Sequence, residues 1–282
     1  MKSRYLILVP LILLGLFLIP LILLRNEAAK KPAPEKPTPV VVAPDLTSPD
    51  TSVKPEDSPP TPPTQPAPIP LPGYTTAPAS RDGIGKIFMG REISHVMGHP
   101  GIGWLERTER EKEEAPSKAI AMLGLAPDTI IADIGAGSGY YSFRIAPLVP
   151  KGKVIAVDIQ QEMLDHLKTE STKLGITNVQ PHLGTIESIS LPANTLDAAL
   201  MVDAYHEFSH PAEMLTSLRK ALKPGGKIYL LEYRGEDPEV PIKPLHKMTE
   251  AQVIKEYEAL GFTFLENKPG LPWQHLLIFE KP

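Results

Sequence analysis

Residues 81–282 are predicted to adopt an α/β fold with a doubly wound, mostly parallel sheet of about seven strands. Short apolar runs rich in β-branched residues alternate with longer amphipathic stretches, and a glycine-rich turn follows the first of these runs. Two closely spaced apolar runs near the C-terminus favour an antiparallel hairpin at the sheet edge. One transmembrane helix and a disordered linker are expected to precede this domain.

The first segment, residues 1–25, is predicted to anchor the chain in a membrane. It contains twenty consecutive uncharged residues, 5–24, and a helix of that length spans about 30 Å, the thickness of a bilayer's hydrocarbon core. Pro10 and Pro20 are tolerated in a membrane helix. A cleaved signal peptide is the alternative, which the length of the run and the lack of an A-x-A-like site disfavour. We therefore expect a single-pass anchor.

Residues 26–80 are predicted to be a disordered linker. This stretch holds about half of the 33 prolines and shows no apolar periodicity, so it cannot repay the entropy cost of folding. Proline-rich chains act as semi-rigid spacers. A partner that recognises PxxP spacings is conceivable but not expected, because any such spacer contains them.

Composition excludes several classes of function. The chain has 29 basic and 33 acidic residues and a net charge of −4, so it lacks the excess of basic residues that is typical of nucleic-acid-binding proteins. It contains no cysteine, which excludes disulfides, thiolate nucleophiles and cysteine-based metal sites.

The elements of the domain are predicted from apolar periodicity, in chain order. Buried parallel strands are expected at 129–134, 153–157, 197–202 and 227–231. Helices are expected at 140–148, 161–174, 212–222 and 250–260, and the hairpin at 262–265 and 275–279. Residues 81–118 precede this unit and are expected to form a lid segment, of which residues 90–107 could cover the open end of the domain 119–282.

The stretch 131–140, IADIGAGSGY, is the most informative part of the sequence. Its three glycines are Gly135, Gly137 and Gly139. Glycine permits a tight turn and lets a ligand approach the backbone closely. Asp133 precedes the turn, and Asp158 ends the next strand about 20 residues on, where a nucleotide site places the carboxylate that binds ribose hydroxyls. The alternative role of Asp158 is to cap the following helix.

The D-x-G-x-G-x-G pattern at 133–139 resembles the first motif of class I S-adenosylmethionine-dependent methyltransferases, which have a Rossmann-like fold. The stretches 191–208 and 218–234 are similar to later motifs of that family and occur in its order, so the resemblance covers about 119–282. It implies S-adenosylmethionine as the cofactor and transfer of its methyl group by in-line displacement.

The resemblance also implies the cofactor-binding residues. The glycine turn and Asp133 would hold the methionine part of the cofactor, and Asp158 its ribose. The family often has an acid after the third strand that contacts adenine, but Thr185 stands there, so Glu187 or a backbone group would substitute. The full set is Asp133, Gly135, Ala136, Gly137, Gly139, Asp158, Ile159, Glu187 and Asp203.

Catalytic residues are expected just after the strands at 197–202 and 227–231, which are the fourth and fifth in the order of the family. Ligands of open α/β sheets bind outside the carboxyl ends of the strands. His206 is the candidate general base, with Glu207 and Asp203 beside it. A histidine satisfied by a neighbouring carboxylate, or a helix cap, is the alternative for His206. Candidates for the acceptor pocket are His95, His99, Trp104, Tyr205, Glu232, Arg234, His246 and His275.

Several of these histidines could converge with Glu207 and Glu232 on one pocket, and such side chains suit zinc or iron. Scattered polar pocket residues are commoner than metal ligands, so no metal ligand is assigned.

The sequence therefore predicts a membrane-tethered methyltransferase for a small-molecule or lipid-soluble acceptor. The stretch DAYHEF lacks the N/D-P-P-Y/F motif of enzymes that methylate nucleic-acid bases or glutamine. Two alternatives are a non-catalytic S-adenosylmethionine-binding module and a nicotinamide-dependent oxidoreductase.

Basic residues flank both ends of the anchor almost equally, so their count does not decide its orientation in the membrane. Because the cofactor is made in the cytoplasm, the domain is expected on that side.

Overall fold

The computed structural model of the chain describes residues 70–282. Within that range no helix combines the length and the apolar character that crossing a bilayer requires. The anchor predicted at 5–24 and the linker up to residue 69 lie outside the described residues.

The described part begins with a small antiparallel sheet that had not been predicted. Its strands, in the order of pairing, are β1 (Tyr74–Thr76), β2 (Gly83–Phe88) and β3 (Arg91–Ser94). The ring of Tyr74 lies 5.3 Å from that of Phe88, and its hydroxyl accepts the N–H of Ala212 at 3.1 Å. Regular structure is therefore present before residue 81, and the predicted linker boundary at residue 80 is corrected accordingly.

A seven-stranded sheet forms the centre of the domain. Its strands are β4 (Ile130–Ile134), β5 (Lys153–Asp158), β6 (Val179–Leu183), β7 (Leu196–Val202), β8 (Leu222–Tyr233), β9 (Thr263–Asn267) and β10 (Gln274–Glu280). They are ordered β6-β5-β4-β7-β8-β10-β9. The five strands from β6 to β8 are parallel to their neighbours, whereas β10 is antiparallel to β8 and β9. This confirms the predicted mostly parallel sheet and its C-terminal antiparallel hairpin.

The helices cover both faces of this sheet. They are α1 (Ile102–Leu105), α2 (Arg110–Glu113), α3 (Pro116–Leu123), α4 (Tyr140–Ile145), α5 (Gln161–Leu174), α6 (Pro211–Ala221) and α7 (Glu250–Ala259). Successive residues of a strand point to opposite faces. In β4, Ile131 accordingly belongs to the core beneath α3, α4 and α5, and Ala132 to the core beneath α6 and α7.

Two elements differ from their predictions for a local reason. The helix predicted at 140–148 ends at Ile145 and continues as one 3-10 turn, where Pro147 lacks the N–H that an α-helix needs. The edge strand β6, the third strand that the resemblance implies, was given no bounds, because its sequence VQPHL has neither an apolar run nor clean alternation.

The segment predicted as a lid packs firmly onto the domain. Arg91 of β3 forms a two-pronged ion pair with the buried Glu256 of α7, at 2.7 and 3.1 Å. The same guanidinium donates to the main-chain carbonyl of His206 at 3.2 Å. The chain then runs along the carboxyl edge of the sheet, so residues 95–107 border the site described next.

Candidate active site

The glycine turn joins β4 to α4 and is tied to the neighbouring strand. The N–H groups of Gly135 and Ala136 both donate to the carbonyl of Val157 in β5, at 2.9 and 3.1 Å. Gly135 has a φ of +73°, and a Cβ there would lie 2.8 Å from the Cβ of Ala204. Only glycine fits both the backbone conformation and the close approach at this position.

Asp158, the last residue of β5, holds this turn in place. One carboxylate oxygen accepts the N–H of Gly137 at 2.9 Å, and the other accepts the N–H of Gln160 at 2.9 Å. Burial raises the pKa of Asp158, although these backbone hydrogen bonds oppose the effect. Its carboxylate lines a cavity, whereas α5 has Gln160 as its N-cap residue and no side-chain cap hydrogen bond, so Asp158 faces a ligand site and does not cap the helix.

The first cavity, of about 290 Å³, opens at the carboxyl ends of β4, β5 and β7. In this sheet order the chain reverses direction between β4 and β7, the point where open α/β sheets bind ligands. Five predicted cofactor residues line it, namely Gly135, Gly137, Asp158, Ile159 and Asp203. Its wall also contains Gly184, Thr185 and Ile186, which follow β6.

Four predicted cofactor residues do not line this cavity. Ala136 and Gly139 face away from it, and Glu187 is exposed beyond the turn whose other residues form the wall. The carboxylate of Asp133 lies buried behind the glycine turn, where it accepts the hydroxyl of Ser142 at 2.7 Å. Asp133 therefore connects α4 to β4 and does not face a ligand. The motif alone does not define the direction of this side chain.

This buried carboxylate makes a testable contribution to the pH dependence of stability. Burial raises the pKa of Asp133 from 3.8 to about 6, and the nearby Asp158 adds to the rise. The folded state holds this proton more tightly than the unfolded state does, so protonation of Asp133 favours folding. This contribution to the free energy of unfolding is complete below about pH 4 and is lost as pH rises through about 6. Asp133→Asn cannot ionise and still accepts the hydroxyl of Ser142. It is expected to raise the free energy of unfolding above pH 6 by up to about 3 kcal/mol.

Denaturant unfolding of both proteins at pH 4 to 8 checks this expectation. The difference between variant and wild type should grow across that range, while Asp165→Asn, an exposed change on α5, should produce no such growth. A difference that does not vary with pH would contradict the stated cause.

His206 and Glu207 lie on the single turn that follows β7, and they meet His246 from a second turn near the C-terminal part of the chain. His206 is buried, with Nδ1 2.6 Å from an oxygen of the fully buried Glu232. Its Nε2 lies 3.2 Å from Nδ1 of His246. Glu207 places Oε1 3.5 Å from Nδ1 of His246, and its Oε2 accepts the N–H of Met97 at 3.0 Å.

Carboxylates dominate the electrostatics of this cluster. Burial opposes charge on His206, but the charge and hydrogen bond of Glu232 outweigh it and raise the pKa of the imidazole. Asp203 is also buried, and burial, with Glu114 and Glu232 nearby, raises the pKa of its carboxyl well above the usual range. Asp203 has a φ of +49°, a strained conformation of the kind that clusters at functional sites.

The second cavity, of about 470 Å³, is lined by this cluster. Predicted residues in its wall are His95, Trp104, Asp203, His206, Glu207 and His246. It adjoins the first cavity, because Val96, Met97, Leu105, Asp203 and Glu207 line both.

Charged residues that had not been predicted complete the wall of the second cavity. Arg107 pairs with Glu113 at 2.8 Å and with Glu114, and Arg110 pairs with Glu114 at 2.6 Å. The sequence offers no signal for them beyond a run of mixed charge in 106–114, which is typical of a solvated surface. Lys243, also in the wall, pairs with Asp82 at 2.6 Å.

The remaining pocket candidates lie outside this cavity. Glu232 is buried behind His206, and Tyr205 points into the core, where its hydroxyl donates to Glu256 at 2.7 Å. His99 is exposed beside the cavities, and Arg234 donates to the carbonyl of Leu271 at 3.0 Å. His275 pairs with Glu236 at 2.8 Å. For Tyr205, Glu232 and Arg234, the strand end was predicted but the direction of the side chain was not.

Comparison with known proteins identifies the class of domain. Residues 131–226 match the family model described as "Methyltransferase domain". The ubiquinone/menaquinone biosynthesis C-methyltransferase UbiE of Pseudomonas fluorescens is 28% identical over 149 residues, which are 52% of this chain and 54% of that protein. An uncharacterised methyltransferase of Mycobacterium tuberculosis is 36% identical over 124 residues, 44% of this chain and 47% of that protein. The chain thus spans about half the length of these curated relatives.

A solved structure agrees with the sequence matches. The S-adenosylmethionine-dependent methyltransferase of Aquifex aeolicus superposes with a TM-score of 0.63 at 26% identity, covering 66% of this chain and all of that one. The comparisons therefore indicate a methyltransferase domain with S-adenosylmethionine as its cofactor, which is what the resemblance predicted.

The residues of the first cavity fit that cofactor. Oδ1 of Asp203 is buried and has no hydrogen-bond partner among residues 70–282, so it is free to accept from an amino group. Asp158 presents a carboxylate for ribose hydroxyls, and Glu207 adds a third acid. An acidic wall suits a ligand that carries a sulfonium and an ammonium.

Proposed function

We propose that this chain transfers the methyl group of S-adenosylmethionine to a small, uncharged and largely apolar acceptor bound in the second cavity. The observation that carries the proposal is the common wall of the two cavities. Asp203 and Glu207 line both, so a donor in the first cavity and an acceptor in the second would meet beside them.

The protein's main contribution is to hold the two reactants in line. The cofactor supplies a methyl group already activated by its sulfonium, and orientation alone can contribute about 7–11 kcal/mol. Asp158 and the glycine turn are placed to fix the donor. Met97, whose N–H is bonded to Glu207, lies between the cavities and is placed to limit the approach of the acceptor.

An acceptor with an O–H or acidic C–H group also has to lose a proton. Glu232 binds Nδ1 of His206, which orients the imidazole so that Nε2 points to the second cavity, beside His246 and Glu207. We assign proton removal to this cluster, with His206 as the oriented base. A positioned general base contributes about 10²–10⁴-fold to a rate.

The charge pattern of the second cavity favours an uncharged acceptor. Arg107, Arg110 and Lys243 are each paired with carboxylates, so none of them is left to balance an anionic acceptor. Apolar side chains are exposed around the mouth, including Val96 at 49% and Trp104 at 46%. Exposed apolar residues of this size around a cleft favour binding of apolar ligands.

A lipid-soluble acceptor is compatible with two further features. The Pseudomonas relative is named as a C-methyltransferase of ubiquinone and menaquinone biosynthesis, although it matches this chain over only about half of its length. The anchor predicted at 5–24 would keep the domain at a membrane surface, on the cytoplasmic side in our proposal. The proline-rich linker would then act as the spacer between the two.

Paired binding and turnover assays test the function. We expect the full-length chain to bind S-adenosylmethionine with micromolar affinity by calorimetry, and to release S-adenosylhomocysteine when apolar phenols or enols are added. Binding without turnover on any acceptor would favour the non-catalytic module. Displacement of the cofactor by NADH would favour the nicotinamide-dependent enzyme.

A further inference from the structure

The arrangement of His206, Glu207 and His246 has a feature that methyl transfer does not require. One atom of each side chain, Nε2, Oε1 and Nδ1 respectively, lies within 4.8 Å of the other two in the wall of the second cavity. The three separations are 3.2, 3.5 and 3.9 Å. Tetrahedral ligands at about 2.05 Å from a zinc ion lie about 3.3 Å apart. These atoms are therefore already spaced for one ion.

The neighbouring residues orient these atoms as metal sites do. A histidine that ligates a metal almost always donates its other ring N–H to a carboxylate or a carbonyl. Glu232 fills that role for His206, since its Oε2 lies 2.6 Å from Nδ1 and its Oε1 accepts the main-chain N–H of the same residue. The N–H of Met97 binds Oε2 of Glu207 and so directs Oε1 toward the imidazoles.

Charge balance agrees with this geometry. Imidazoles that ligate a metal are neutral, so in that state Glu207 and the fully buried Glu232 give the cluster two negative charges, and the ion takes the place of the proton that Glu232 favours on His206. One divalent cation would balance them, and buried charges that are left uncompensated are costly. The donor set of two nitrogens and one oxygen suits zinc or another divalent transition metal, whereas magnesium and calcium prefer oxygen ligands.

We propose that His206, Glu207 and His246 bind one divalent transition metal ion, with a fourth coordination position open to the second cavity. Three protein ligands and one open position are typical of catalytic zinc sites. With the ion bound, Nε2 of His206 is a ligand and does not act as the base. The ion would instead lower the pKa of an acceptor oxygen held in the open position, next to the donor cavity. No metal ligand was assigned from the sequence, because scattered polar pocket residues are commoner than ligands; the fold brings Glu207 and His246 together from two turns that lie 39 positions apart.

Zinc titration of the untagged full-length chain, after removal of metal with a chelator, tests the site. Calorimetry is expected to show one Zn²⁺ per chain with micromolar or tighter affinity, and Co²⁺ at the same site should give visible d–d absorption. His246→Ala is expected to weaken Zn²⁺ binding by at least about 100-fold, since even outer partners of ligands contribute about 10–100-fold. Glu207→Gln keeps an acceptor for Met97 and serves as a second variant if His246→Ala does not fold.

His95→Ala is the matched control, because His95 lines the same cavity outside the cluster. It should bind Zn²⁺ like the wild type. Absence of saturable Zn²⁺ binding, or equal affinity in all variants, would overturn the proposal in favour of an imidazole pair held only by hydrogen bonds. The readout is metal binding, so its failure would leave the proposed methyl transfer standing, and failure of methyl transfer would leave the metal result unaffected.

Discussion

Asp158→Asn is expected to weaken S-adenosylmethionine binding by about 100-fold or more, because hydrogen bonds to charged groups contribute about 1.5–3 kcal/mol each. The carboxylate has two tasks in this structure. It accepts the N–H groups of Gly137 and Gln160, and it lines the donor cavity where ribose hydroxyls would lie. An asparagine keeps the shape, but its NH₂ group faces an N–H donor on one side. The substitution therefore removes a cofactor contact and also loosens the glycine turn.

Calorimetric titration of S-adenosylmethionine into wild type and variant measures this effect. Asp165→Asn is the matched control, since Asp165 lies exposed on α5 and bonds only to its helix neighbours Gln161, Lys168 and Thr169. The control should retain wild-type affinity. Burial already disfavours the charged form of Asp158, so its variant should remain folded. An affinity for Asp158→Asn within about threefold of the wild type would contradict the assignment of the donor cavity.

His206→Asn is expected to lower methyl transfer by about 10²–10⁴-fold while leaving cofactor affinity nearly unchanged. The asparagine amide can replace Nδ1 of His206 as the donor to Glu232, so the buried carboxylate keeps its partner. What the variant lacks is Nε2, the atom that faces His246 and the second cavity. The change therefore removes the nitrogen proposed to react, Nε2, and keeps a donor at the position of Nδ1.

Single-turnover release of S-adenosylhomocysteine measures this effect, with an acceptor found by the turnover screen. His166→Asn, on α5 and outside both cavities, is the control of the same chemical change and should transfer at the wild-type rate. Undiminished transfer in His206→Asn would remove His206 from the mechanism. Loss of cofactor binding in that variant would instead show that His206 supports the donor cavity.

Local patterns in the sequence were sufficient for the framework of the domain. Helix α5 has its predicted bounds of 161–174, because its apolar face repeats at helical spacing between two clear ends. The glycines and Asp158 were found because a tight turn and a strand end depend on residues close together in the chain. These features give the fold class, the position of the donor cavity and the class of domain.

Other features follow from contacts between distant segments. The first strand of the small sheet was missed because Tyr74 lies in a proline-rich stretch. Its position depends on contacts with Phe88 and Ala212, which the local composition does not predict. The pairs of Arg107 and Arg110 with Glu114 are local, but Tyr233 of β8 donates its hydroxyl to Glu114 at 2.7 Å, and this distant contact distinguishes the charge run from a solvated surface.

The sequence by itself determined that this chain contains a doubly wound domain with a nucleotide-type turn and polar residues after its fourth and fifth strands. Only the tertiary structure decided which side chains those strand ends bring together. It joins His206 to Glu232 and His246, and it turns Asp133 away from the donor cavity toward Ser142. The physical reason is that periodicity and spacing describe the backbone locally, whereas the direction and partners of a side chain depend on packing between segments far apart in the chain.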